Sequence, residues 1–230
     1  MIALLAGLVA GLAAFGLGEA VHDYYKPENA ATTLNGNAVS MPTIHTMAVA
    51  HTRNMAIAYS ILGGCLGLCL GLAGGIAGGG TRRGAAAGAA GLVLGILAGR
   101  QLPLALAMRY SRYMDAHPEA DMLLPMAMHG TYWGVLGLIG GLVFGIGLGR
   151  GFLKFALLGL AGALAGTVLC EIAGVFLDPL AETSDPLFAS LTPRLIARLG
   201  VALGAAAAIG FLGMRGDASG EPIRPHGARA

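Results

Sequence analysis

The sequence predicts an all-α, polytopic membrane protein with about six glycine-rich transmembrane helices, and three observations predict it. Of 230 residues, 56% are hydrophobic and only 11% are charged, less than half the roughly 25% found in soluble domains. Mean hydropathy is +0.72, which leaves too little polar surface to wrap a water-soluble core. The 39 glycines sit inside apolar runs rather than in polar linkers, the composition of membrane helices that pack closely.

A membrane-spanning helix needs roughly 20 apolar residues. Stretches that qualify cover about 2–21, 54–80, 84–106, 129–149, 152–177 and 195–214. Together they make one transmembrane domain over 1–215, followed by a polar tail, 216–230, that carries Pro222 and Pro225 and is expected to be disordered. The first stretch could also be read as a signal peptide. It has no basic residues ahead of the apolar run and no A-x-A site after it, so a retained first helix is the expectation.

The connections alternate in length. Helices two and three are joined by Thr81-Arg82-Arg83, and helices four and five by Arg150-Gly151; the opposite side carries the long segments Asp23 to Arg53, Leu106 to Met128 and Asp178 to Arg194. One face is therefore tight and the other elaborated. Lys and Arg divide evenly between them, seven and seven, so the positive-inside rule rests on local density. The tight turns hold Arg82, Arg83, Arg150 and Lys154 beside the helix ends, with no acid. That density predicts both termini cytoplasmic, and an integral protein of a bacterial-type inner or plasma membrane is the expectation.

Two signals point to an internal repeat of three tandem two-helix hairpins. Arg-Gly follows helices two, four and six, as Arg83-Gly84, Arg150-Gly151 and Arg215-Gly216. At an offset of 152, helix one falls on helix five, with Gly7 on Gly159, Glu19 on Glu171 and Pro27 on Pro179. An offset of 81 places Gly7 on Gly88, Gly18 on Gly99 and Glu19 on Arg100, with no proline match. Gly63, Gly67, Gly71 and Gly75 recur every fourth residue in helix two, as do Gly137, Gly141, Gly145 and Gly149 in helix four. Residues four apart share a helix face, so each row forms a smooth groove of the glycine-zipper kind, suited to close helix packing.

The residues best placed for chemistry are Glu19, Arg100 and Glu171, each near the elaborated-face end of an odd-numbered helix. A charge at membrane depth costs about 3 kcal/mol on insertion scales, so such groups face a partner or water. The repeat predicts that the three converge, as an ion or proton site or as a structural ion pair. His22, His45, His51, His117 and His129 share the elaborated face with ten of the twelve acids. No HxH, HxxxH or HExxH spacing occurs, so solvated loop histidines are the expectation and no metal site is predicted. Cys65, Cys69 and Cys170 lie in apolar runs and read as small packing residues.

Gly74 to Gly80 lacks the lysine of a phosphate-binding loop, and no GxSxG or cofactor fingerprint is present. The sequence thus gives little support for an enzyme and implies no cofactor. A net charge of +2 with scattered basic residues argues against a nucleic-acid partner. The partners it suits are the lipid bilayer and other membrane helices, either of separate subunits or of further copies of the chain. A noncatalytic scaffold or accessory subunit is the leading expectation. The alternative is a small-solute, ion or proton transporter or channel built on Glu19, Arg100 and Glu171.

Overall fold

In lipid, backbone N–H and C=O groups must be satisfied within the chain, and the fold meets that demand with six helices. A computed structural model describes residues 1–34, 37–117, 123–177, 187–188 and 190–213. The helices are α1 (Ile2–Ala20), α2 (Ile44–Ala77), α3 (Thr81–Ala116), α4 (Leu123–Leu148), α5 (Phe152–Leu177) and α6 (Leu191–Ala207), the last continued by a π-helical turn, Ala208–Gly213. All six are long and apolar enough to cross a membrane. The tail 216–230 lies outside the described residues.

The helices run further than the apolar stretches suggested. α2 and α3 have 34 and 36 residues, about 51 and 54 Å at 1.5 Å per residue, against a hydrocarbon core of about 30 Å. Their outer turns therefore extend beyond the span on the elaborated side. α2 starts ten residues early because Thr43 caps it: its hydroxyl accepts from the Thr46 amide, and the Thr46 hydroxyl accepts from the Thr43 amide. Pro103, close to the end of the apolar stretch 84–106, lies inside α3.

One element departs from an all-helical chain. Strands β1 (Asn29–Leu34) and β2 (Asn37–Pro42) pair antiparallel, with Leu34 opposite Asn37. The sequence carried the signal: Asn-Gly at 35–36 is the strongest two-residue hairpin dipeptide. The chain between α1 and this hairpin is tied to α2 by Asn54, whose side-chain amide donates to the Tyr25 carbonyl and whose carbonyl oxygen accepts from the Tyr25 amide, both at 2.9 Å.

Packing separates the helices into inner and outer sets. α2, α4 and α6 touch one another, and each odd helix is wedged between two even ones: α1 between α6 and α2, α3 between α2 and α4, α5 between α4 and α6. Burial follows the same division, with 61% of the apolar stretch of α4 covered against 28% of that of α3. Bulky side chains fill the centre, among them Tyr59, Leu66 and Leu70 from α2, Tyr132 and Phe144 from α4, and Val201 from α6.

Glycine sets the spacing around this centre. On α2, Gly63, Gly67, Gly71 and Gly75 meet the backbone of Gly95, Gly91, Gly88 and Gly84 on α3, so closely that a β-carbon at any of the four would collide. On α4, Gly137, Gly141 and Gly145 meet Gly159, Phe155 and Phe152 of α5 in the same way, and Gly162 and Gly166 of α5 meet Gly204 and Gly200 of α6. Gly149 plays another part, lying beyond α4 with φ 84°.

Both tight turns end a helix alike. Gly79 (φ 68°) and Gly149 adopt left-handed backbone, and the next amide reaches back: Gly80 to the Gly75 carbonyl at 2.9 Å, Arg150 to the Gly145 carbonyl at 3.2 Å. This closure satisfies carbonyls that the helix end would leave unpaired. It also corrects the Arg-Gly reading. Arg83-Gly84 lies in the first turns of α3, because Gly78–Gly80 already completes the turn; Arg150-Gly151 lies in the α4–α5 connection; Arg215-Gly216 is outside the described residues.

Gly67→Ala should lower the melting temperature of detergent-solubilised protein, since overpacking typically costs about 1–3 kcal/mol. Gly16→Ala, where a β-carbon meets nothing within 4 Å, should leave it unchanged or raise it through helix propensity. Equal melting shifts for the two variants would contradict this packing.

Candidate functional site

Charges cluster where the bundle meets the elaborated face, but not in the grouping the repeat suggested. Glu19 stands in the last turn of α1. Arg194 grips its carboxylate with both arms, Nε donating to Oε1 at 2.9 Å and Nη2 to Oε2 at 2.8 Å. Arg198 adds a contact from Nη1 to Oε1 at 3.3 Å. The two arginines are four apart on α6 and so share one face. Their side chains are 8% and 7% exposed, and that of Glu19 22%.

Backbone carbonyls complete the arginine shell. Arg194 Nη1 donates to the Phe188 carbonyl and Arg198 Nη1 to the Phe15 carbonyl, each at 3.1 Å. Gly18 makes room for this: a β-carbon there would lie 2.6 Å from the Arg198 guanidinium carbon. The glycine beside Glu19 is thus the notch into which a cation from α6 fits.

The second pair joins α4 to α5. His129 is fully buried, and its Nδ1 lies 2.5 Å from Glu171 Oε1. An ionised carboxylate only accepts, so opposite an ionised Glu171 the proton of the imidazole would sit on Nδ1. The imidazole stacks on Trp133, one turn along α4, with ring centres 5.0 Å apart and planes 6° apart, and the Phe188 ring packs at 5.5 Å. The Nε2 atom is buried without a partner among the described residues. His129 is therefore not the solvated loop histidine that the sequence suggested. α4 begins six residues earlier than the apolar stretch, which carries His129 inside the bundle.

Between the pairs lies a small cavity, about 30 Å³, bounded by Tyr59 and Leu62 of α2, Trp133 of α4, and Arg194 and Arg198 of α6. That volume suits one or two waters. Phe188 connects the two pairs, its carbonyl held by Arg194 and its ring against His129 and Trp133.

Glu19, Arg100 and Glu171 are not brought together. Glu19 meets α6, Glu171 meets α4, and Arg100 is exposed at a cleft between α2 and α3. The reason is the packing order: an even helix separates each odd helix from the next, so a charge on an odd helix meets residues of an even neighbour. The partners that sequence reasoning missed are Arg194, Arg198 and His129. Arg194 and Arg198 did carry a signal, four apart at the start of an apolar helix.

Among the described residues, no group of three His, Cys, Asp or Glu side chains is placed to hold a metal ion. Cys65, Cys69 and Cys170 are free thiols. No family model, curated protein or solved structure matches the chain.

Breaking a buried pair while leaving its partner charged costs roughly 3–5 kcal/mol. Glu19→Gln should therefore strongly destabilise the protein in detergent unfolding. Adding Arg194→Met to it should cost less than the sum of the two single changes. Additive losses in that double-mutant cycle would show that the pair is not coupled.

Proposed function

We propose that the chain is a noncatalytic membrane scaffold or accessory subunit whose smooth helix faces pack against other membrane helices. The observation that carries this reading is the engagement of Glu19: both carboxylate oxygens are occupied by Arg194 and one also by Arg198, which leaves neither oxygen of Glu19 free to bind a passing cation. The close glycine-backbone packing supports it, since helices locked this tightly resist the rocking that alternating access requires. The basic residues at the tight turns favour both termini on the cytoplasmic side, and a bacterial-type inner or plasma membrane is the proposed location.

A second reading, as a proton or small-ion transporter, draws on His129. A buried imidazole oriented by a carboxylate, with its other nitrogen unpartnered among the described residues, is the local chemistry of a proton relay.

Two measurements separate the readings. The scaffold predicts stoichiometric copurification with another membrane protein after mild crosslinking, and no proton or ion flux when the purified chain is placed in liposomes. Flux that disappears in Glu171→Gln, with the fold retained, would replace the scaffold with the transporter.

A further inference from the structure

We infer that the cleft between the outer ends of α2 and α3 is a binding site for an anionic phospholipid, with the phosphate held between Arg53 and Arg100. The cleft encloses about 370 Å³ and is bordered at its polar end by Tyr25, Arg53 and Arg100. Both arginines are exposed, and neither has a carboxylate partner among the described residues. Arg53 lies over the Tyr25 ring, 5.5 Å from its centre. Among the described residues no acidic side chain borders the cleft, so the two cations that face it are its dominant charge.

Depth supports the assignment. Arg100 lies about 28 Å along α3 from Thr81 at 1.5 Å per residue, close to the roughly 30 Å thickness of the hydrocarbon core. Ser60 donates to the Ile96 carbonyl at 3.1 Å, and Gly99 packs on the Tyr59 carbonyl, which sets Arg100 level with Tyr59 and Ser60. Arg53 stands about 10 Å further out on α2. The arginines therefore bracket the phosphate layer, beside Tyr24 and Tyr25 in the position of an aromatic belt.

The rest of the wall explains why the ligand is a lipid rather than a free anion. Ile57 lies between the two arginines, and below them the lining becomes Ile61 and Ile96, an apolar surface suited to the start of an acyl chain. α3 is an outer helix with most of its span uncovered, so the cleft opens sideways to lipid. Outward, Arg53 also borders a second cleft with Lys26, Glu28 and His45, where a headgroup larger than the phosphate would find hydroxyl and charge partners. Basic clefts between membrane helices recognise anionic headgroups in this manner.

The test is native mass spectrometry of the full purified chain with added phosphatidylglycerol or phosphatidylcholine. At about 1 kcal/mol per arginine, two arginines should favour the anionic lipid roughly thirtyfold. Arg53→Gln/Arg100→Gln should abolish the preference, while Arg82→Gln/Lys154→Gln, which removes the same charge from the tight face, should keep it. If the first double variant fails to fold, Arg100→Gln alone, at an exposed position, gives the same readout with a partial loss. Three results would overturn the site: a preference retained in both Arg53/Arg100 variants, a preference lost equally in the tight-face variant, or displacement of the lipid by excess inorganic phosphate, which would mark a site for the free anion.

Discussion

Lipid tails are as apolar as leucine, so burying apolar side chains gives membrane helices little reason to associate. Contact between backbones supplies the attraction instead, and nearly every feature of this protein depends on the glycines that allow it. Where Gly67 meets Gly91 and Gly137 meets Gly159, two helices approach to a distance no other residue permits. The bulky side chains are consequently displaced from those seams into the space between α2, α4 and α6. Glycine on the flanks and aromatic or leucine residues at the centre are thus two sides of one arrangement, which explains how so glycine-rich a chain still has a filled core.

That arrangement dictates the electrostatics. With odd helices outside and even helices inside, a carboxylate near the end of an odd helix can reach only the even helices beside it. Glu19 finds Arg194 and Arg198 on α6, and Glu171 finds His129 on α4. The pairs fasten the ends of helices that glycine aligns along their length. The two devices act at different places: the glycine seams run along the helices, and each ion pair fixes one point at the elaborated end.

How far the sequence could be read follows from the same division. Helix number and placement were legible because they depend on local composition, and the glycine rows because a spacing of four is visible in one dimension. Glu19 and Glu171 stood out because a carboxylate in an apolar run is costly. Their partners are set by tertiary contact between helices far apart in the chain, which no local spacing encodes. Helix ends were missed for a different reason. The Thr43 cap and the outer turns of α2 and α3 lie in water, where hydropathy no longer marks a helix, and there the capping and hairpin signals at Thr43 and at 35–36 were the ones to follow.

Among the described residues the Glu19 cluster sets two arginines beside one glutamate, and burying cations is ordinarily expensive. Backbone carbonyls offset part of that cost. The Arg198 guanidinium takes the Phe15 carbonyl as an acceptor, and Phe15 lies near the C-terminal end of α1. That end carries the negative pole of the helix dipole, equivalent to roughly half an elementary charge. Phe188 offers a carbonyl to Arg194 from outside any described helix. Oxygen dipoles thus replace the water that the arginines gave up, and Gly18 is the condition for it, since a side chain there would push the guanidinium away from the helix end. The arginines beside the cavity thus have their donors engaged within the bundle, whereas Arg53 and Arg100 are exposed at the open cleft between α2 and α3.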